Sequence, residues 1–147
     1  MAVRNGHVKI ASLLLKYGAM WDQADSSGNS PLHYAAAYGW QSCMELLIKT
    51  GADINAENSW RITPINIAMM KNHQGCVKYL LNKPGVDVNC KDEHGRTLLT
   101  TALLELEEQT VDFVKYLLEK GADPNIQDAS GRGSLHYLAM TKVGNTN

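Results

Sequence analysis

The residues best equipped for chemistry in this chain are five histidines, three cysteines and the adjacent carboxylates Glu107 and Glu108. Histidine with cysteine reads first as a zinc set, which needs two ligand pairs at short spacing. His73 and Cys76 stand one helical turn apart, but no second pair has zinc spacing. Ser134 and His136 put a hydroxyl near an imidazole without the Gly-x-Ser-x-Gly elbow that would make the serine a nucleophile. No glycine-rich loop ending in Lys-Ser/Thr offers a cradle for phosphate. Glu107 and Glu108 lie in a charged stretch and read as a solvated loop rather than an acid–base pair. Cys43, Cys76 and Cys90 are odd in number and widely spaced, which argues against a disulfide scaffold, and Cys43 and Cys76, at the same second-helix position of successive units, read as small, inert core residues. The reading is therefore a non-enzyme with no metal and no cofactor.

The bulk properties narrow the class further. With 147 residues, 44% hydrophobic and 20% charged, the chain has the composition of one folded domain with a core. A net charge of −1 gives no reason to expect nucleic acid as a partner. No apolar run reaches the roughly 18 residues of a membrane span, and Arg4, Asn5, His7 and Lys9 interrupt any signal-peptide core. Without a disulfide pattern or an Asn-x-Ser/Thr acceptor, the expectation is an intracellular, cytoplasmic or nuclear protein, monomeric as an isolated domain.

The elements that would position these residues are repeated. Gly18, Gly51, Gly85 and Gly121 recur at intervals of 33, 34 and 36, each after an apolar run such as Glu45-Leu46-Leu47-Ile48 or Lys115-Tyr116-Leu117-Leu118. Such a period marks stacked supersecondary units. In Ser30 to Gly39, Ser30 suits a helix N-cap, Pro31 its first turn, and Gly39 a left-handed ending. A second helix is predicted over Gln41–Lys49, with Met44, Leu47 and Ile48 on one stripe. Gly51 stops it, and Ala52-Asp53-Ile54-Asn55 leads to a hairpin with its tip near Asn58-Ser59-Trp60.

Ser30-Pro31-Leu32-His33-Tyr34-Ala35-Ala36 followed by Gly51-Ala52-Asp53-Ile54-Asn55-Ala56 resembles the ankyrin repeat. Thr63-Pro64-Ile65-Asn66-Ile67-Ala68 and Gly131-Arg132-Gly133-Ser134-Leu135-His136-Tyr137 are weaker copies. The resemblance implies an all-α ankyrin-repeat solenoid, helix–turn–helix units with protruding β-hairpin turns, in a single domain over 1–147. Its repeats divide at 1–26, 27–59, 60–93, 94–129 (with an acidic insertion at Glu105–Thr110) and 130–147. Asn66 and Thr100 stand where the motif has histidine, Leu98 and Ser134 where it has proline, and Asn72 where the helix-ending glycine belongs. The partial repeats at both ends, one opening at Ala2 inside a first helix and one ending soon after Met140, predict a piece of a longer protein.

The same resemblance implies function. His33 and His136 are expected to tie hairpin turns together by hydrogen bonds. Hairpin tips and exposed first-helix positions are expected to form a concave face that binds another protein or a peptide. On the matching positions that face holds Tyr34, Tyr38, Trp60, Arg61, Ile62, Met70, Lys71, His94, Arg96, Leu104 and Arg132. Trp60 is set apart because the same tip position holds Ser27, His94 and Ser130. Two readings are open for it: an exposed interface anchor, or a ring folded over a neighbouring hairpin. Trp21 reads as core and Trp40 as partly buried packing. Arg61, Arg96 and Arg132 read as a basic stripe opposed by Glu93, Glu105, Glu107 and Glu108, which suits an acidic or mixed-charge peptide. Tyr34, Tyr38 and Trp60 also admit an aromatic cage for methylated lysine. Asn55, Asn89 and Asn125 resemble the asparagine that is hydroxylated in many ankyrin repeats. The alternative function is a regulatory or targeting segment of a larger enzyme, of kinase, acyltransferase or ADP-ribosyltransferase type.

Overall fold

The computed structural model describes residues 2–141, with side chains from His7 onward. Among them are eight helices and no strand: α1 (Ala2–Lys16), α2 (Pro31–Tyr38), α3 (Gln41–Thr50), α4 (Pro64–Met70), α5 (Gln74–Leu81), α6 (Leu98–Ala102), α7 (Thr110–Glu119) and α8 (Ser134–Met140). They fall into two compact units, Met1–Val86 and Asp87–Asn147.

In the first unit α2 packs on α3 and α4, α3 on α1 and α5, and α4 on α5. This is the helix–turn–helix stacking that the period predicts, because one pair of short amphipathic helices cannot bury its apolar faces alone. The buried set includes Leu32, Met44, Ile65, Val77 and Leu80. In the second unit α6 packs on α7 and α8 around Leu98, Leu99 and Leu117. Cys43 and Cys76 are buried, as expected of core residues, and so is Cys90; none of the three is in a disulfide.

Local chemistry fixes the helix ends. Ser30 caps α2 and Gly39 closes it at φ 70°. Asn72 does the same after α4 at φ 58°, since its short polar side chain tolerates the left-handed region. At Thr100, where the motif has histidine, the Thr100 Oγ1 accepts from Thr97 N at 2.9 Å and so keeps the cap on α6. The opening repeat departs from its neighbours: α1 is one 15-residue helix running through Gly6, the position at which Gly39 and Asn72 turn the chain. The last described element is α8; residues 142–147, on which the expected ending of the fifth repeat falls, lie outside the described residues.

The hairpins are tight turns rather than paired strands. At each tip an Asp or Asn side chain accepts two backbone N–H groups: Asp25 from Ser27 and Asn29, Asn58 from Trp60 and Ile62, Asp92 from His94 and Arg96, Asp128 from Ser130 and Arg132. Neighbouring tips join by Ser59 N donating to Ser27 O and, in the second unit, Ala129 N to His94 O. At this junction glycine is required. A Cβ on Gly28 (φ +77°) would meet the Ser59 backbone nitrogen at 2.8 Å, whereas one on Gly131 (φ +76°) would meet nothing within 4 Å. Gly131→Ala is therefore expected to cost about 1 kcal/mol for the left-handed backbone alone. Gly28→Ala is expected to cost about twice that, because the collision adds to the same strain. Urea unfolding followed by circular dichroism compares the two.

Candidate functional site

The exposed surface of the first unit is built on turns that buried histidine holds in place. His33 is almost wholly buried in α2. Its Nδ1 accepts from Ser30 N at 3.1 Å and lies 2.8 Å from the Ser30 hydroxyl, while Nε2 donates to the Ile62 carbonyl at 2.9 Å. One neutral imidazole thus caps its own helix and clamps the next hairpin, as the motif implied. His136 makes the first half of this arrangement, its Nδ1 accepting from Gly133 N at 3.1 Å, but its ring is exposed.

Burial holds the His33 pKa below its ordinary value, with hydrogen bonds to backbone working the other way. The unfolded chain then binds a proton that the folded chain resists. Stability from this group is present above about pH 6.5, the ordinary histidine value, and is lost as pH falls below it. The urea midpoint is expected to drop between pH 7 and 5, and His33→Gln is expected to flatten that slope. Asp25 and Asp128 are held below the usual carboxylate range chiefly by the hydroxyls of Tyr34 and Tyr137, so they act in a separate, more acidic window.

Around the clamped turn, the first unit exposes Tyr34 and Tyr38 on α2, Trp60 and Arg61 at the tip, and Met70 and Lys71 at the end of α4. The Trp60 ring is half exposed (50%), so it is not buried beneath a neighbouring hairpin. Ile62 does not join this surface. It is 8% exposed, with its backbone N–H held by Asn58 Oδ1 and its carbonyl by His33, so it supports the tip from beneath. The Tyr34 hydroxyl donates to Asp25 Oδ2, and Tyr38 stacks on Trp40 at 5.1 Å. These contacts engage both tyrosines elsewhere than in a cage with Trp60. Trp40 also meets His7 at 4.6 Å and is partly buried as expected. Trp21 is half-buried beside Gly51 rather than fully in the core.

In the second unit the predicted residues divide differently. Arg96 Nε donates to Asp92 Oδ2 and Arg132 Nε to Asp128 Oδ2, both at 2.8 Å, on nearly buried carboxylates. Tyr137 donates to the same Asp128 oxygen at 2.6 Å. These two arginines brace their own tips. Arg61 is not their counterpart, which corrects the expected stripe. The Asp/Asn register pairs Arg96 and Arg132 with Ile62, and Arg61 with Gly95 and Gly131. His94 and Leu104 are exposed, His94 within 3.6 Å of Glu93. The tip carboxylates were missed in reading the sequence, although Asp-x-x-Gly recurs at Asp25, Asp92 and Asp128 and would have shown them.

Several of the remaining candidates make contacts within the fold. His73 Nε2 donates to the Ala37 carbonyl at 3.0 Å, and its ring fills the space over Gly39. With Cys76, Trp40 and Gln74 it lines a cleft of about 340 Å³. Asn55 Nδ2 donates to Gly85 O at 2.7 Å, and Asn89 takes Asp123 N on its Oδ1 at 2.8 Å and donates to Gly121 O at 3.3 Å. Asn125 is exposed and takes its turn from Asp123. Glu105, Glu107 and Glu108 lie exposed between α6 and α7 as a solvated loop. No described helix is long and apolar enough to cross a membrane.

A family model described as ankyrin repeats (three copies) matches residues 1–58 and 56–128. Among similar curated proteins, the poly [ADP-ribose] polymerase tankyrase of Caenorhabditis elegans is 38% identical over 128 residues, 82% of this chain and 6% of that protein. Rabankyrin-5 of Mus musculus is 28% identical over 77% of the chain and 10% of its own length. The neurogenic locus notch homolog protein 1 of Danio rerio is 30% identical over 80% of the chain and 5% of its own length. The chain thus spans a tenth or less of the curated relatives it matches.

Proposed function

The chain belongs to the ankyrin-repeat family, and on that premise we propose that it is a non-catalytic module that binds a peptide or protein surface through its hairpin tips and first helices. Ankyrin repeats generally mediate protein–protein interaction. The observation that carries the reading here is the tip of the first unit, where a half-exposed Trp60 and an exposed Arg61 stand above a buried, hydrogen-bonded support. Rigid aromatic and arginine side chains on a fixed scaffold are the residues that dominate interface energetics. The test is selection of peptides from a random display library on the immobilised chain. Enrichment of peptides that bind the chain and not Trp60→Ala supports the reading. No enrichment, or enriched peptides indifferent to Trp60, overturns it.

The larger-enzyme reading is favoured by one observation, the 38% identity to a poly [ADP-ribose] polymerase of which the match covers a small part. In that reading the repeats position the partner for a catalytic domain elsewhere in the same polypeptide. Sequencing of the full-length transcript decides it: a transferase domain in frame supports it, and an open reading frame without one removes it.

A further inference from the structure

Arg61 stands where glycine belongs. The equivalent tip residues Gly28, Gly95 and Gly131 have φ of 77°, 76° and 76°, and Arg61 adopts φ 62°. Left-handed backbone brings the Cβ of an L-residue against the following carbonyl, so any side chain here is held against a steric penalty. The turn is held by its backbone, with Arg61 N donating to Asn58 O at 2.9 Å, and among the described residues the Arg61 side chain adds only one ion pair. The Arg61 side chain is 86% exposed, and its ion pair with Glu57 at 3.8 Å joins two solvated groups, which contributes little. Arg61 thus combines left-handed backbone with a solvated side chain, beside the only exposed tip tryptophan of the described residues, and outliers of this kind cluster at binding sites.

Charge bears on what such a side chain could meet. Residues 1–86 carry eight lysines and arginines against five acidic residues, while residues 87–147 carry six against ten. In the first unit Asp25 is tied to Tyr34 and to two backbone N–H groups, and Asp53 to Asn55 N. Arg61 and Lys71 are exposed cations on the same unit. The second unit's tip arginines, Arg96 and Arg132, are held at 2.8 Å by nearly buried carboxylates, whereas Arg61 meets only the exposed Glu57 at 3.8 Å. A guanidinium presents a fixed fork that matches a carboxylate with two parallel hydrogen bonds.

We propose that Arg61 is the specificity-determining residue of the first unit, and that it selects a peptide carrying an Asp or Glu side chain beside the residue that packs on Trp60. This inference rests on the peptide-binding reading above. Its test uses the whole chain and the same random peptide library, followed by synthesis of the enriched peptides and their Asp→Asn or Glu→Gln forms. Enriched peptides are expected to hold one acidic residue at a constant position. Arg61→Gly is expected to weaken them at least about tenfold and to abolish the difference between the acidic and amide forms. Its thermal midpoint is expected to rise by about 2–4 °C, because relief of strain outweighs the added chain entropy of glycine. Arg61→Lys, which keeps charge but not the fork, is expected to fall between. Peptides that require Trp60 yet bind Arg61→Gly equally well, or that lack a constant acidic residue, overturn this inference alone. A lowered midpoint in Arg61→Gly also overturns it, by showing that Arg61 serves the fold. Failure to enrich any peptide overturns both this inference and the reading beneath it.

Discussion

Leu32→Ala is expected to lower the free energy of unfolding by about 2–5 kcal/mol, whereas Leu135→Ala is expected to change it by less than about 0.5 kcal/mol. Both leucines precede the histidine of the same motif, and both sit in the first turn of a short helix. Leu32 is 0% exposed, in the helix that packs against α3 and α4. Deleting three carbons there removes their burial and leaves a cavity that α4 cannot fully close. Leu135 is 77% exposed in α8, so truncation gives up almost no burial. Urea titrations of the two variants, followed at the helical circular-dichroism band, measure the difference. Equal losses would mean that α8 is covered in solution by something these packing relations lack.

Trp60→Ala is expected to weaken a selected peptide by about 2 kcal/mol or more, roughly thirtyfold, with the helical signal unchanged. The two halves of this prediction come from different parts of the tip. Binding depends on the half-exposed ring, which no described ring contact engages. Folding depends on groups beneath it that the substitution leaves intact: Asn58 Oδ1 still takes the backbone N–H of residue 60, and His33 still holds the Ile62 carbonyl. Titration calorimetry with a synthetic peptide, alongside a thermal melt, reads both. Lost binding together with a large drop in the melt would assign Trp60 to the fold instead.

The sequence by itself determined the repeat and its helices. A helix of this length needs only a cap, an apolar stripe and a residue that tolerates the left-handed region. In α2 Ser30 supplies the cap and Gly39 the ending, and in α3 Met44, Leu47 and Ile48 supply the stripe and Gly51 the ending. The same locality made the Asn72 substitution readable, since asparagine answers the same steric demand as glycine. It also let Thr100 keep the cap that a histidine would make. The tip position of Trp60 was legible for a related reason, because its companions in phase are all polar, but its exposure was not.

What only the tertiary structure decided is which of several like residues does which task. Arg61, Arg96 and Arg132 read alike in sequence, but two of them brace buried carboxylates, and the third holds a glycine's place with its side chain in solvent. Ile62 looked like part of the surface until its backbone was seen clamped between Asn58 and His33. Leu32 and Leu135 share a motif but not an environment. In each case the residue type sets what a side chain can do, through its volume, charge and donors. The burial of Leu32 and the clamp of His33 on Ile62 come from segments some 30 residues away, while the arginines divide by a one-position offset from a tip Asp or Asn that lies four residues before Arg96 and Arg132 and three before Arg61.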